Sequence, residues 1–580
     1  YVNFALDIDI IKDMLSAKLL YGVNKENGKR SAYIPKDVYW GLVRKSRGSL
    51  GYNERQYETM EGTLSFRHKL WNMIDVNAVA GMGRYLDKGT GMTVSYQNAN
   101  DMINDSNLAA ADGPFSPTSY KYENEKRSQF LRASFDVLDR YVLTGTLRRD
   151  GTDKFFPDKK YSLFPSASVA WKMSNESFMQ HLSWLNLLKV RASYGVTGSD
   201  NLGTSLYGII GISREDVKFS NSGVTYVPYA LQSANYSDVT WQKTAMKNIG
   251  LDFSILKDKI WGSLDFFRND VTNLLGTAPT SLLNMYGYRP INGGHYKRTG
   301  VELSLNTLNI QTPNFKWTSS LALSHYNAYW IERMPNFDYK KYQKRENEPM
   351  SAYYYYKTVG VINEDRSNMP DSQRSLPREA QLPGYPIIDD RNGDGKIDID
   401  DIYMDNTLPK VYYGFGNTFT YKNFDLDIYM YGQLGVKKFN STHASNCSAA
   451  NLASGTLASN PTDYAYAIWN SQTNPNGTVP GIASSKSVAL PENAPINTFW
   501  EKASFLRVRN ITLGYNWDTR KLAFLKGNVQ TIRLFVDFQN PFTLTKFEGD
   551  DPEITTAAGN LGHGQYPQLR VYSFGAKISF

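Results

Sequence analysis

Hydrophobic and polar residues alternate one for one along most of this chain. From Leu188 to Tyr194, Leu188, Val190, Ala192 and Tyr194 fall on one face of an extended segment, with Lys189, Arg191 and Ser193 on the other. Phe424, Leu426, Ile428 and Met430 alternate in the same way with Asp425, Asp427, Tyr429 and Tyr431, and Phe574, Ala576, Ile578 and Phe580 with Gly575, Lys577 and Ser579. A period of two marks strands whose faces meet different surroundings. The pattern predicts strands near 1–10, 16–22, 55–66, 75–85, 127–136, 141–150, 164–173, 187–195, 246–256, 259–268, 298–307, 315–326, 411–421, 424–434, 504–516, 530–539 and 570–580.

A soluble sandwich or propeller also alternates, so the connectors decide between the two readings. Short ones (Ile11 to Leu15, Asp136 to Tyr141, Leu256 to Lys259, Tyr421 to Phe424) take turns with long ones (86–126, 196–245, 269–297, 327–410, 435–503). Outer-membrane barrels have this asymmetry, with tight periplasmic turns and long extracellular loops, and sandwiches have no reason for it. The expected fold is therefore all-β: a transmembrane antiparallel β-barrel spanning 1–580, with about 17 strands of a plugged barrel of about 22. Backbone satisfaction supplies the reason, because in hydrocarbon an unpaired N–H or C=O costs several kcal/mol and strands can span only when paired side by side. With a periplasmic C-terminus, every long connector falls on the extracellular side.

Composition fits this picture. Of 580 residues 14% are aromatic, with 40 Tyr, 28 Phe and 11 Trp, yet the mean hydropathy is -0.47. Aromatic girdles and an outward apolar band combined with a polar lumen give both values at once. No apolar run approaches the roughly 18 residues a spanning helix needs. The single cysteine, Cys447, rules out an internal disulfide framework and CxxC metal sites, and reads as an inert loop thiol. A net charge of +8 without dense basic blocks gives nucleic-acid binding no support. No signal peptide is visible and residue 1 opens inside a strand, so an N-terminal portion, with the first strands and a plug, is expected upstream.

Six segments in order carry a family resemblance: LRRDGTDKF (Leu147 to Phe155), FPSASVAWKMSNESF (Phe164 to Phe178), LLKVRASYGVTGS (Leu187 to Ser199), WQKTAMKNIGLDFSILKDKIWGSLDFF (Trp241 to Phe267), FLRVRNITLGYNW (Phe505 to Trp517) and QNPFTLTKFEGDDPE (Gln539 to Glu553). Together they resemble the barrel of SusC/RagA-type TonB-dependent transporters over nearly the whole chain. The resemblance implies TonB-dependent import of an oligosaccharide or oligopeptide nutrient across the outer membrane of a Bacteroidetes-type bacterium. It also implies a SusD-like surface lipoprotein acting as a lid, and pairs of transporter and lipoprotein that can themselves dimerise. The family's plug and TonB box are not in this sequence, so coupling to TonB is implied by the resemblance alone. The terminal Phe580 on an alternating strand resembles the signal read by outer-membrane assembly machinery; the other reading is an ordinary edge strand.

The sharpest local chemistry lies in the 327–410 connector. In DRNGDGKIDIDD, Asp390, Asn392, Asp394, Asp398 and Asp401 occupy positions 1, 3, 5, 9 and 12 of a calcium loop, with the Lys396 carbonyl at position 7 and Gly395 at the sharp turn. Hard oxygen ligands at this spacing suit a structural Ca²⁺, although Asp401 is shorter than the usual Glu; the alternative is a metal-free acidic turn. Tyr339, Tyr342 and the run Ala352 to Lys357 (AYYYYK) are candidates either for stacking on sugars or for loop packing. The six histidines, His68, His181, His295, His325, His443 and His563, show no paired metal spacing, and Asp550 and Asp551 read as loop acids. Lumen-facing Lys189, Arg191, Arg507 and Arg509 are offset by Asp265, Asp425 and Asp427. No GxSxG, P-loop, dinucleotide or zinc signature occurs, so no enzymatic activity is expected. The competing functional class is a passive barrel acting as a surface receptor or adhesin with calcium-ordered loops; an outer-membrane enzyme is a weaker third.

Overall fold

The computed structural model describes residues 1–580 apart from 39–44, 100–106, 109–110, 112, 204–205, 208, 213–218, 222–223, 227–228, 282–286, 344–346, 447–465, 482–489, 518–528, 550, 554–567 and 580. Cys447, Asp550, His563 and Phe580 lie outside the described residues.

Among the described residues seventeen long strands run in antiparallel sequence: β1 (Val2–Ile11), β2 (Leu15–Ile34), β3 (Arg47–Leu70), β4 (Ile74–Gln97), β5 (Ser116–Val137), β6 (Tyr141–Thr152), β7 (Tyr161–Lys172), β8 (Leu185–Ser199), β9 (Gln242–Ile255), β10 (Ile260–Pro279), β11 (Tyr288–Gln311), β12 (Phe315–Glu332), β13 (Val411–Tyr421), β14 (Phe424–Leu434), β15 (Phe505–Trp517), β16 (Thr531–Gln539) and β17 (Val571–Ser579). Each pairs with the next, and the short strand Thr543–Thr545 beside β15 completes an 18-stranded sheet. Every strand expected from alternation is present.

One end of the sheet carries tight turns at 12–14, 71–73, 138–140, 256–259, 312–314 and 422–423. Several place ordinary residues at positive φ, among them Trp71 and Asn72, Leu138 and Asp139, and Leu256 to Asp258, the geometry that matches a hairpin turn to the twist of its strands. The longest connections, 200–241, 333–410, 435–504 and 540–570, leave from the other end, while 173–184 and 518–530 join strands at the turn end.

The strands extend beyond the alternating segments, furthest toward the loop end. β3 starts at Arg47 and β4 runs to Gln97, so much of the expected 86–126 loop is strand, with Arg47 to Leu70 paired residue for residue to Gln97 back to Ile74. Past the apolar band both faces are wet and alternation loses its cause, while the ladder of backbone hydrogen bonds continues. Hydrophobic pattern reports burial in lipid, so it underestimates strand length there.

The two faces differ as anticipated. Val190, Tyr194, Ile249, Phe266, Leu513, Phe574 and Ile578 are exposed on one side, the apolar face. Tyr141 stacks with Trp171, Trp317 with Phe419, and Phe424 packs on Tyr515 near the tight turns, forming an aromatic girdle. On the other face Arg191 donates to Asp252 at 3.1 Å, Asp265 at 2.7 Å and Asn248 at 3.1 Å, Lys189 lies 3.3 Å from Asp252, and Arg533 pairs with Asp425. Of the lumen charges expected to offset one another, Arg191 and Asp265 do so by direct contact, while Lys189 pairs with Asp252 and Asp425 with Arg533.

Candidate functional site at the loop end of the barrel

The long loops are folded. Residues of the 333–410 connection build a core of their own around Tyr342, Tyr354, Tyr356, Ile362, Ile388 and Ile402, and the 435–504 connection adds Leu490, Ala494 and Ile496 to it. Short strands brace the cap: Ala352–Tyr355 pairs with Tyr403–Asn406, and Thr358–Val361 with Pro386–Ile388. Burial of this apolar set holds two sequence-distant loops together at roughly 25 cal/mol per Å². A second cluster joins three of the segments quoted above: Phe155, Phe164 and Trp241 meet edge-on at 5.5 Å, over Leu206 and Val239.

The AYYYYK run divides by strand parity. Tyr354 and Tyr356 point into the cap core, which settles them as packing residues. Tyr353 and Tyr355 share the opposite face, where Tyr353 stacks on Trp500 at 3.8 Å and on Tyr355 at 5.3 Å, and Tyr355 stacks on Tyr403 at 5.8 Å. Tyr342 is buried in the core, and the Tyr339 ring lies 4.8 Å below the Arg333 guanidinium.

The acidic loop hangs from the cap by Ile397 and Ile402, both buried, and by the Tyr356 hydroxyl, which donates to the Asp398 carbonyl at 2.9 Å. Its carboxylates collect backbone N–H groups. Asp390 accepts from Gly393 at 2.8 Å and Gly395 at 2.9 Å; Asn392 accepts from Asp394 at 3.0 Å; Asp394 accepts from Lys396 at 2.9 Å. Gly395 adopts φ +82° and Gly393 φ +72°, the left-handed turns that glycine permits. Asp401 is fully buried and accepts from the N–H groups of Arg391 and Asp398, each at 2.8 Å. Burial pushes its carboxyl above the ordinary carboxylate range despite those bonds. Asp398 and Asp401 also cap the short helix Ile399–Asp401 reciprocally. The side-chain oxygens of Asp390, Asn392, Asp394 and Asp401 are thus turned to backbone N–H donors.

Among the described residues, the one group of three potential ligands within 4.8 Å of one another is His443, Glu501 and Glu548. His443 Nδ1 lies 3.0 Å from Glu501. Sequence spacing could not reveal it, because the three sit on separate segments. A further reading is corrected here. Asp551 is no ordinary loop acid: it is buried and accepts from Arg507 at 2.7 Å, while Arg507 also reaches Glu553 at 2.6 Å. Burial alone would raise the Asp551 carboxyl, but N–H donors from Glu553 and Gln568 and the Arg507 charge leave it lowered. Tyr431 donates to Glu553 at 2.6 Å, and Lys438 bonds to the Pro552 carbonyl. Arg507 and Arg509 do not share a lumen face, since Met430 pairs with Val508 and Tyr429 with Asn510, leaving Arg509 as a bulged residue.

A wall of sequential antiparallel strands with a bare apolar face, an aromatic girdle and folded loops at one end is the architecture of an outer-membrane β-barrel. The chain belongs to the TonB dependent receptor-like β-barrel family, whose profile matches residues 15–540. It is similar to TonB-dependent receptor P3 of Formosa agariphila, with 26% identity over all of this chain and 58% of that protein. Its identity to TonB-dependent receptor SusC of Bacteroides thetaiotaomicron is 27%, over 80% of this chain and 44% of the relative. The chain therefore spans about half the length of these curated relatives. A structure of the RagAB peptide transporter superposes with a TM-score of 0.79 at 19% identity, covering 100% of this chain and 61% of that one, which shows the shared fold. The protein resides in the outer membrane.

Proposed function

We propose that this chain is the barrel of a TonB-dependent importer that takes up an oligosaccharide or oligopeptide beneath a SusD-like surface lipoprotein. The observation that carries the reading is the cap built jointly by the 333–410 and 435–504 loops, on a barrel whose family and relatives are TonB-dependent receptors. A packed extracellular platform offers a lid a fixed surface to close on, and the charge-balanced wall favours neither anionic nor cationic cargo. Gated passage needs no covalent chemistry from these side chains. The test is deletion of the gene in its native host, followed by growth on defined oligosaccharides and oligopeptides and by affinity purification of the intact protein from outer membranes. Loss of growth on one nutrient class, with a surface lipoprotein co-purifying at equal amounts, is expected. Unchanged growth on every such nutrient with no lipoprotein recovered would instead favour a passive receptor or adhesin.

The same reading assigns Ca²⁺ to Asp390, Asn392, Asp394, the Lys396 carbonyl, Asp398 and Asp401 as a structural ion of the cap. It is supported by the six spaced oxygens, the positive φ of Gly395 and a buried Asp401 carboxylate whose bonds in the structure come from backbone N–H groups. Binding would require the carboxylates to rotate from those donors onto the ion. Calcium titration of the chelator-treated intact protein by calorimetry should show one site, absent in Asp390→Asn with Asp394→Asn. Heat signals identical in that variant would refute the assignment.

A further inference from the structure

The membrane-facing wall is not uniform. A groove of about 860 Å³ crosses β5 to β10, where the small residues Gly145, Ala167 and Ala192 interrupt a belt of larger ones such as Leu143, Ile249 and Phe266. A Cβ added at Gly145 would meet nothing within 4 Å, so the floor of this groove is open. A second groove of about 690 Å³ crosses β2 to β7 over Gly62 and Ala80, between Leu19, Leu64 and Leu131.

Both grooves have cations on their lining. Lys247 and Arg268 face each other in register across β9 and β10, two residues further from the tight turn than the outward Ile249 and Phe266, and so on the same outward face at its extracellular border. Their side chains are 55% and 49% exposed. They share a single carboxylate, Asp270, at 3.3 Å and 2.8 Å, and Lys297 stands opposite Asp270 in register on β11, its ammonium 5.9 Å from the Tyr329 ring, so three cations border one anion. Beside the second groove Arg149 lies 4.2 Å over the Tyr161 ring and 3.4 Å from Gln129, and among the described residues no carboxylate pairs with it.

A basic side chain on the lipid face is strongly disfavoured at mid-membrane and nearly neutral at the interface, which explains why these cations stop at the edge of the apolar belt. Their excess over acids at that edge calls for anionic partners, and the adjoining grooves are apolar and of a size for acyl chains. We propose that the wall binds a phosphate-bearing lipid of the outer leaflet, with its chains in the Gly145 groove and its phosphate on Lys247, Arg268 and Lys297. Arg149 marks a second site of the same kind. The carboxylate of Asp270 holds the cations in position and leaves net positive charge for the lipid. Head group and chains are recognised together, which sets this site apart from the non-specific belt around it.

The test uses the intact protein purified from outer membranes into neutral detergent, with bis-phosphorylated lipid A and its dephosphorylated form as probes, read by native mass spectrometry. Wild-type protein is expected to retain the phosphorylated form preferentially. Lys247→Gln with Arg268→Gln should weaken that retention about thirtyfold, at about tenfold per 1.4 kcal/mol and about 1 kcal/mol per basic residue. Gly145→Leu keeps every charge, adds its Cβ where nothing lies within 4 Å, fills the groove floor and should weaken both lipids alike. Heat-modifiable gel mobility confirms that each variant is a folded barrel. Equal retention of the two lipids by wild type, unchanged retention in the charge variant, or displacement by inorganic phosphate alone would each overturn the proposal.

Discussion

Arg507 shows how the extracellular rim is held. Its side chain is 3% exposed, and a charge so removed from water persists only because Asp551 and Glu553 come to it from the 540–570 loop. Replacing Arg507 by Met leaves a buried carboxylate without its cation, at a cost of about 3–5 kcal/mol in the docking of that loop. Limited proteolysis of the folded barrel should then cut near residue 551 and spare the strands; an uncut loop would mean that Arg507 is dispensable. Lys438 belongs to the same cluster, and burial pushes its ammonium down to about 8 from an ordinary 10.5. A lysine whose pKa is lower in the docked state binds fewer protons there than when released, so docking strengthens as pH rises from about 8 to 10.5 and is independent of pH, at its weakest, below about 8. Trp500 pairs with Phe439 beside Lys438, so its fluorescence during thermal unfolding reports this slope, which Lys438→Met should abolish.

At the scale of elements, the strands were readable because lipid on one side and water on the other impose period two on side chains. The ends were not readable, because the Arg47 to Glu54 and Leu86 to Gln97 stretches pair where water wets both faces and only the backbone dictates the strand. The bulge at Arg509 escaped the alternation for a related reason, since one extra residue reverses the parity that assigned Arg507 and Arg509 to a single face. In the acidic loop the sharp turn at Gly395, which adopts φ +82°, was legible. His443, Glu501, Asp551 and Glu553 were not, because only tertiary folding brings those segments together. The AYYYYK run sits between these cases: composition offered stacking on sugars or loop packing, and the structure packs all four rings, Tyr354 and Tyr356 in the cap core and Tyr353 and Tyr355 against Trp500 and Tyr403. Trp500→Ala removes the partner of Tyr353 and is expected to lower cap stability by about 1 kcal/mol beyond lost area, measurable in a double-mutant cycle with Tyr353→Ala. A coupling of zero would mean the two rings are merely adjacent.

For the molecule as a whole, the strands form a wall whose stability derives from backbone pairing, while the apolar packing of side chains is concentrated in the extracellular cap. That division separates two jobs. The wall is set by the membrane and tolerates changes on its lipid face, whereas the cap behaves like a small globular unit with its own core, ion pairs and acidic loop. A chelator or a cap mutation should therefore alter loop protection without shifting the melting of the barrel, and a single cooperative transition for both would argue against such independence.

The alternation of environments across the wall is the claim on which the rest stands. Single cysteines placed in turn from 188 to 193, with Cys447 replaced by Ser, can carry spin labels in the intact protein reconstituted into lipid bilayers. Labels at 188, 190 and 192 should collide with oxygen dissolved in the acyl chains, and those at 189, 191 and 193 with a water-soluble nickel chelate, the two profiles oscillating with period two in opposite phase. Profiles without that oscillation, or labels at 188, 190 and 192 shielded from both reagents by other protein, would contradict the account.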